Sequence, residues 1–206
     1  MRNLLMIGMG LIFSVFLLTS CNDDKDPQPN IPETNLTEAE AKDLLYMREE
    51  EKLARDVYQY AFDKYQALIF ENISNSEQTH MDAILVLLTK YNLEDPASEI
   101  AGEFDNTSLQ SLYDELVSKV DVSLMEALKV GATIEDLDIY DLAEAMEQTE
   151  LADILIVYGN LQCGSRNHLR SFTDVIHLGG ESYSPQFISI DEYSEIISSE
   201  KELCGR

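Results

Sequence analysis

The sequence predicts an all-α protein built as a four-helix bundle with additional short helices. Two observations lead there. Apolar residues recur at steps of three and four along four long segments, none of which contains a proline. Val, Ile and Thr nowhere gather into the alternating runs that strands require.

The first long segment, "LTEAEAKDLLYMREEEKLARDVYQYAFDKYQ", opens with Thr37 and Glu40 three apart, the spacing of a capping box, and runs on without Gly or Pro. A second helix covers about 70–91 and stops before "YNLEDPASEIAGEFDNTS", a loop marked by Pro96, Gly102 and several polar residues. "SLQSLYDELVSKV" reads as a short helix with Ser108 as its N-cap. The third long helix is "SLMEALKVGATIEDLDIYDLAEAMEQ". Its Gly131 costs about 1 kcal/mol against Ala unless close packing needs it. The fourth, "ELADILIVYGNLQCGSRNHLRSFTDVIHLGG", is closed by Gly179 and Gly180 in the manner of a C-cap. The tail "ESYSPQFISIDEYSEIISS" holds an extended piece and one short helix starting near Ser189. Four long helices with short ones between them fit a bundle.

Ahead of the bundle, residues 1–20 read as an export signal, with Arg2 as the charged region and "LLMIGMGLIFSVFLL" as the apolar region. "LTSC" resembles a bacterial lipobox, which implies cleavage before Cys21 and a membrane anchor through a lipid on its thiol. An ordinary secretory peptide with an incidental cysteine is the alternative. The lipobox reading places the protein in the cell envelope as an outer-membrane lipoprotein, periplasmic or surface-exposed. Residues 21–35 are polar, acidic and proline-rich, a flexible tether. Residues 36–206 are then long enough for one well-buried domain with a C-terminal tail.

A formal net charge of −25 repels nucleic acid, which is discarded as a partner. Besides Cys21 only Cys163 and Cys204 remain. Outside the cytoplasm they could join as a disulfide between the last long helix and the tail, or stay unrelated thiols. No Cys-x-x-Cys exists, which argues against sulfur-ligated metal.

The core-facing stripes carry the chemistry. In the first long helix the stripe runs Leu44, Met47, Glu51, Ala54, Tyr58, Ala61, Tyr65, with Glu50 on its flank and Glu49 facing solvent. In the second it runs Ile73, Glu77 (or Ser76), His80, Ile84, Leu87. In the third it runs Leu124, Leu128, Gly131, Glu135, Asp138, Leu142, Ala145. In the fourth it runs Ile154, Tyr158, Leu161, Ser165, His168, Phe172, Ile176. Each is apolar at both ends and polar in the middle. A buried, unpaired carboxylate costs several kcal/mol, so four helices that each bring polar groups to one level need a common partner. A pair of divalent metal ions would offset the charges together. Weighed singly, Glu51 could be solvated within its run, Glu77 and His80 an ordinary side-chain pair, Glu135 and Asp138 a wet face, and His168 a core histidine. His177 falls off the stripe as a capping or surface residue.

"YMREEEKLARDVY", "ISNSEQTHMDAIL", "GATIEDLDIYDL" and "GSRNHLRSF" together resemble a bacterial and archaeal family, domain of unknown function 2202, of the ferritin-like superfamily. The resemblance implies a ferritin-like bundle holding a di-iron or di-manganese carboxylate centre, as in rubrerythrins. Its usual ligands are one Glu from each of two helices plus Glu-x-x-His from the other two. It implies Glu51, Glu77, His80, Glu135 and His168 as ligands. Ser165 stands where a further glutamate is expected, and Asp138 is the candidate replacement. Arg166 and Asn167 would orient ligands from behind.

The reading is therefore an exported, lipid-anchored protein with two divalent metal ions, iron first and manganese or zinc as alternatives. If redox active, its centre would react with oxygen or peroxide as an oxidase or scavenger. It would then need an external electron donor, since no rubredoxin-like cysteine cluster is present. A homodimer is an allowed assembly. The competing reading is a non-enzymatic surface scaffold or interaction protein whose core acids pair with Arg55, Arg166 or Arg170.

Overall fold

The computed structural model describes residues 36–205. The export segment 1–20, Cys21 and the tether to residue 35 lie outside the described residues. Six helices follow: α1 (Glu38–Tyr65), α2 (Leu68–Lys90), α3 (Thr107–Val120), α4 (Leu124–Glu147), α5 (Ala152–Leu178) and α6 (Ile190–Ser198). The all-α expectation holds. The capping box is present, with the Thr37 side chain accepting from the Glu40 amide and the Glu40 carboxylate accepting from the Thr37 amide. Ser189 caps α6. Asn106, not Ser108, caps α3, accepting from the Ser108 and Leu109 amides. An asparagine two residues upstream offers a better-placed acceptor than the serine already inside the first turn.

Short links make two hairpins, α1 with α2 and α4 with α5. At the first link Gln66 takes the left-handed conformation (φ 53°) and its amide donates to the Phe62 carbonyl. The α2–α4 connection is long. It starts near the beginning of α1 and returns to the end of α1, where Tyr60 and Tyr65 donate to Asp121 and to the Val120 carbonyl. Helices α2 and α4 therefore run the same way, opposite to α1 and α5. Tyr58 meeting Glu135 and Tyr46 meeting Asp141 record the antiparallel run of α1 and α4.

The connection lies over α1 and corrects one reading. Glu49 is not solvated: it is 4 % exposed and accepts from the Asp105 and Asn106 amides at the start of α3. Its neighbours on that face do similar work. Arg48 pairs with Asp95 at 2.8 Å, and fully buried Lys52 donates to Asp56 and to the carbonyls of Ile100 and Glu103. Glu50, read as a flank residue, is 3 % exposed.

Two apolar clusters sit above and below a polar middle. One gathers Leu44, Ile84, Leu88, Leu142 and Leu161. The other gathers Tyr58, Phe70, Leu128, Phe172 and Ile176. Of the expected stripe residues, Leu124 at the start of α4 is exposed and Tyr65 half-buried, because both lie at the bundle end. Gly131 is there for packing: a Cβ would stand 2.4 Å from the Phe172 ring, which explains a mid-helix glycine. Cys163 and Cys204 form a disulfide that fastens the tail to α5. Arg166 and Arg170 both pair with Glu202 beside it.

Candidate metal centre

Glu51, near the middle of α1, is 1 % exposed. Glu77 and His80 share one face of α2 because they are three residues apart. Glu135 comes from α4 and His168 from α5. The structure brings these five together as two overlapping triads, Glu51–Glu77–His80 and Glu77–Glu135–His168. Glu77 is common to both. Its Oε2 lies 2.8 Å from Nδ1 of His80 and its Oε1 lies 2.8 Å from Nδ1 of His168. Each histidine also faces a second carboxylate, His80 Nδ1 at 3.1 Å from Glu51 and His168 Nδ1 at 3.3 Å from Glu135. The two rings stack with centroids 5.7 Å apart.

Supporting contacts hold these side chains in place. The Tyr58 hydroxyl donates to Glu135 at 2.5 Å, and Nε2 of His168 lies 3.1 Å from the Ser76 hydroxyl. Gly164 leaves the room that His80 fills: a Cβ there would stand 2.6 Å from its Nε2. Gly164→Ala should therefore displace the ring. We expect a tenfold or greater loss of affinity at the Glu51–His80 position, the scale of a disturbed ligand support. Overpacking should destabilise the fold by about 1–3 kcal/mol, less the roughly 1 kcal/mol that Ala gains over Gly in a helix. Metal titration and thermal melting check both parts.

Asp138 is buried but belongs to neither triad. One of its oxygens meets the fully buried Ser165 hydroxyl, and the other has no hydrogen-bond partner. Arg166 and Asn167 do not stand behind the ligands. They turn to the tail, Arg166 to Glu202, and Asn167 to the Glu202 carbonyl and Cys204 Sγ. Nor do the arginines neutralise the core acids: Arg55 engages Asp56 and Gln78, and Arg170 the Ile196 carbonyl and Glu202. The acids that sequence reasoning missed as buried groups include Asp136. It is fully buried and accepts from Tyr183 and the amides of Gln186, Phe187 and Ile188, which pins the tail. Nothing local in the acidic segment of α4 marks it out.

The electrostatics follow from burial and crowding. Burial, followed by the charge of Asp138, raises Glu51 well above the usual carboxylate range. Burial also raises Glu135, only partly offset by His168. Burial pushes Asp138 up to about 7, against the hydrogen bond from Ser165. Burial would likewise raise Glu77, but His168 and His80 outweigh it and hold this carboxyl well below its ordinary value. Burial would lower His168, yet Glu77 and Glu135 push it up to about 10, and Glu51 and Glu77 raise His80 in the same way.

These residues fit divalent cations. The Glu77 Oε1 and His168 Nδ1 atoms, although 2.8 Å apart, are buried without a hydrogen-bond partner, as is Glu51 Oε1. Buried polar atoms this close yet unaligned for hydrogen bonding are what ligands converging on a shared point look like. Carboxylate oxygen with imidazole nitrogen suits iron, manganese or zinc.

The family described as "Uncharacterized protein domain (DUF2202)" matches residues 40–200. The chain is 51 % identical over 174 residues to "Uncharacterized protein MJ0754" of Methanocaldococcus jannaschii, covering 84 % of this chain and 94 % of that protein. It is similar to the crystal structure of hypothetical protein MJ0754 from Methanococcus jannaschii, with a TM-score of 0.81 and 51 % identity, covering 84 % of this chain and 99 % of the other.

Proposed function

The chain belongs to the family of the uncharacterized domain DUF2202, and from that premise and its buried core we propose a metal-binding protein of ferritin-like type with a two-metal carboxylate–histidine centre. The observation that carries the reading is the position of Glu77, one oxygen toward each histidine, with no lysine or arginine among the described residues paired to Glu51, Glu77, Glu135 or Asp138. The α1-opposed run of α2 and α4, joined by one long crossover, supports the ferritin-like assignment. Glu51 and His80 would hold one ion and Glu135 and His168 the other, with Glu77 between them. Iron is the first expectation. When bound, such a pair would supply electrons to dioxygen or peroxide. The chain's own residues bind and orient: Tyr58 steadies Glu135, Ser76 steadies His168, and the two apolar clusters exclude water. Electrons would come from an external donor. Cys21, through its lipid, would hold the protein at the cell envelope.

Loading the purified full-length chain with ferrous iron under argon, removing free metal and measuring elements tests the reading. About two ions per chain and a raised melting temperature are expected. Fewer than about one ion per chain with no melting shift would leave the scaffold reading instead.

A further inference from the structure

One further group of buried acids lies outside the two triads. Along α4, Glu135, Asp138, Asp141 and Glu144 recur every three residues. Each such step advances about 4.5 Å along the axis and turns about 60° back around it. The run therefore spirals from the core outward: Glu135 and Asp138 are buried, Asp141 half-buried and Glu144 exposed. At its outer end a cavity of about 250 Å³ opens to the surface, lined by Asp43, Tyr46, Met47, Asp141 and Glu144 among others.

Across from this ladder stands Glu50 of α1, beside Asp138 and Asp141. Neither of its oxygens has a hydrogen-bond partner, although the residue is only 3 % exposed. Asp141 could hydrogen-bond it only when one of the two acids carries a proton, since carboxylates are otherwise acceptors alone. The free oxygen of Asp138 is the next unsatisfied group inward, and Glu51 lies beyond it. A buried carboxylate oxygen without a partner is costly, and here Glu50 and then Asp138 carry such oxygens in a row between a surface cavity and the proposed metal position.

We propose that divalent cations reach the Glu51–His80 position from this cavity along an acid-lined route, past Asp141, Glu50 and Asp138 in turn. The inference rests on the metal-centre reading above. Carboxylates met one after another, from α4 and α1 in turn, replace part of an ion's hydration at each stage, and an acidic cleft raises the local cation concentration at its mouth. None of the three acids is needed to complete a triad, so the route governs how fast the centre fills and not how tightly it holds.

The test is stopped-flow uptake of cobalt(II) by the metal-free full-length chain, followed by ligand-field absorption, with stoichiometry measured at equilibrium. Glu50→Gln and Asp141→Asn should each slow uptake about tenfold, a step within the range by which charged clefts alter on-rates, while final stoichiometry stays that of the wild type. Glu195→Gln, an exposed acid on α6, should leave the rate unchanged. Unaltered rates in both route variants overturn the route. So does equal slowing by Glu195→Gln, which would show general attraction by net charge, and so does lost stoichiometry in folded Glu50→Gln, which would make Glu50 a ligand. Half-buried Asp141 carries the test if the Glu50 variant fails to fold. Wild-type protein that takes up no cobalt overturns the metal centre itself, whereas normal loading with unaltered rates overturns only the route.

Discussion

Replacing Glu77 with glutamine is expected to empty both metal positions at once. Glu77 is the one side chain shared by the two triads, with an oxygen 2.8 Å from each histidine Nδ1. An amide keeps the shape but loses the charge and one acceptor atom. Outer supports of metal ligands are typically worth 10–100-fold in affinity, so loss of a shared ligand should cost more than about 100-fold at both positions. Glu51→Gln and Glu135→Gln each strip one triad only. Elemental analysis should therefore read near zero, one and one ion per chain for the three variants. A Glu77→Gln protein that retained two ions would remove the shared-ligand geometry from consideration. Melting of each metal-free variant separates lost binding from lost folding, since Glu77 also pairs with both histidines when no metal is bound.

The metal-free protein should lose stability as pH rises, and metal should restore it. His168 is pushed up to about 10 by Glu77 and Glu135, against burial, so its ion pairs stabilise the fold fully below its ordinary value near 6.5. That contribution disappears as pH climbs through 10. Asp138, raised to about 7 by burial, acts with the same sign from about pH 4 to 7, because the folded chain keeps a proton the unfolded chain releases. Glu77 opposes them only at the acid end: its lowered value stabilises the fold above its ordinary 4.5, and this is lost as pH falls further. The metal-free melting temperature should therefore peak near pH 5 and fall toward pH 9, with a total change of a few kcal/mol. Cations compete with the same protons, so binding releases them and tightens as pH rises. Circular-dichroism melts at a series of pH values, with and without metal, check both slopes. A metal-free melting temperature that stayed flat or rose between pH 5 and 9 would contradict the pairing.

Helical phase located the inward groups well where burial is decided by the four long helices alone. Glu77, His80, Glu135, Ser165 and His168 all face the core at the same level, as steps of three and four place them. It failed where burial comes from a distant segment. Nothing near Glu49 or Lys52 in sequence announces that residues 95–106 will fold over them. Glu50 was harder for a different reason. It stands 100° from Glu51 on the helix, and only the approach of α4 decides whether that flank is wet. Arg166 and Asn167 sit beside His168 in sequence but turn outward to Glu202 and the tail. The Cys163–Cys204 pairing could not be chosen from two lone cysteines without a distance.

From Met47 through Ala54, eight consecutive residues of α1 are buried. Most helices in small proteins keep one side in water and can fray or breathe on that side. This stretch has neighbours all the way round: the crossover on one flank, the partner helices on the others. Its amide protons can meet solvent only when the bundle opens as a whole, so this segment belongs to the most slowly exchanging part of the molecule. Glu51 lies inside it. A cation held there would not escape by local fraying of α1, so its residence time would be set by passage between side chains or by complete unfolding.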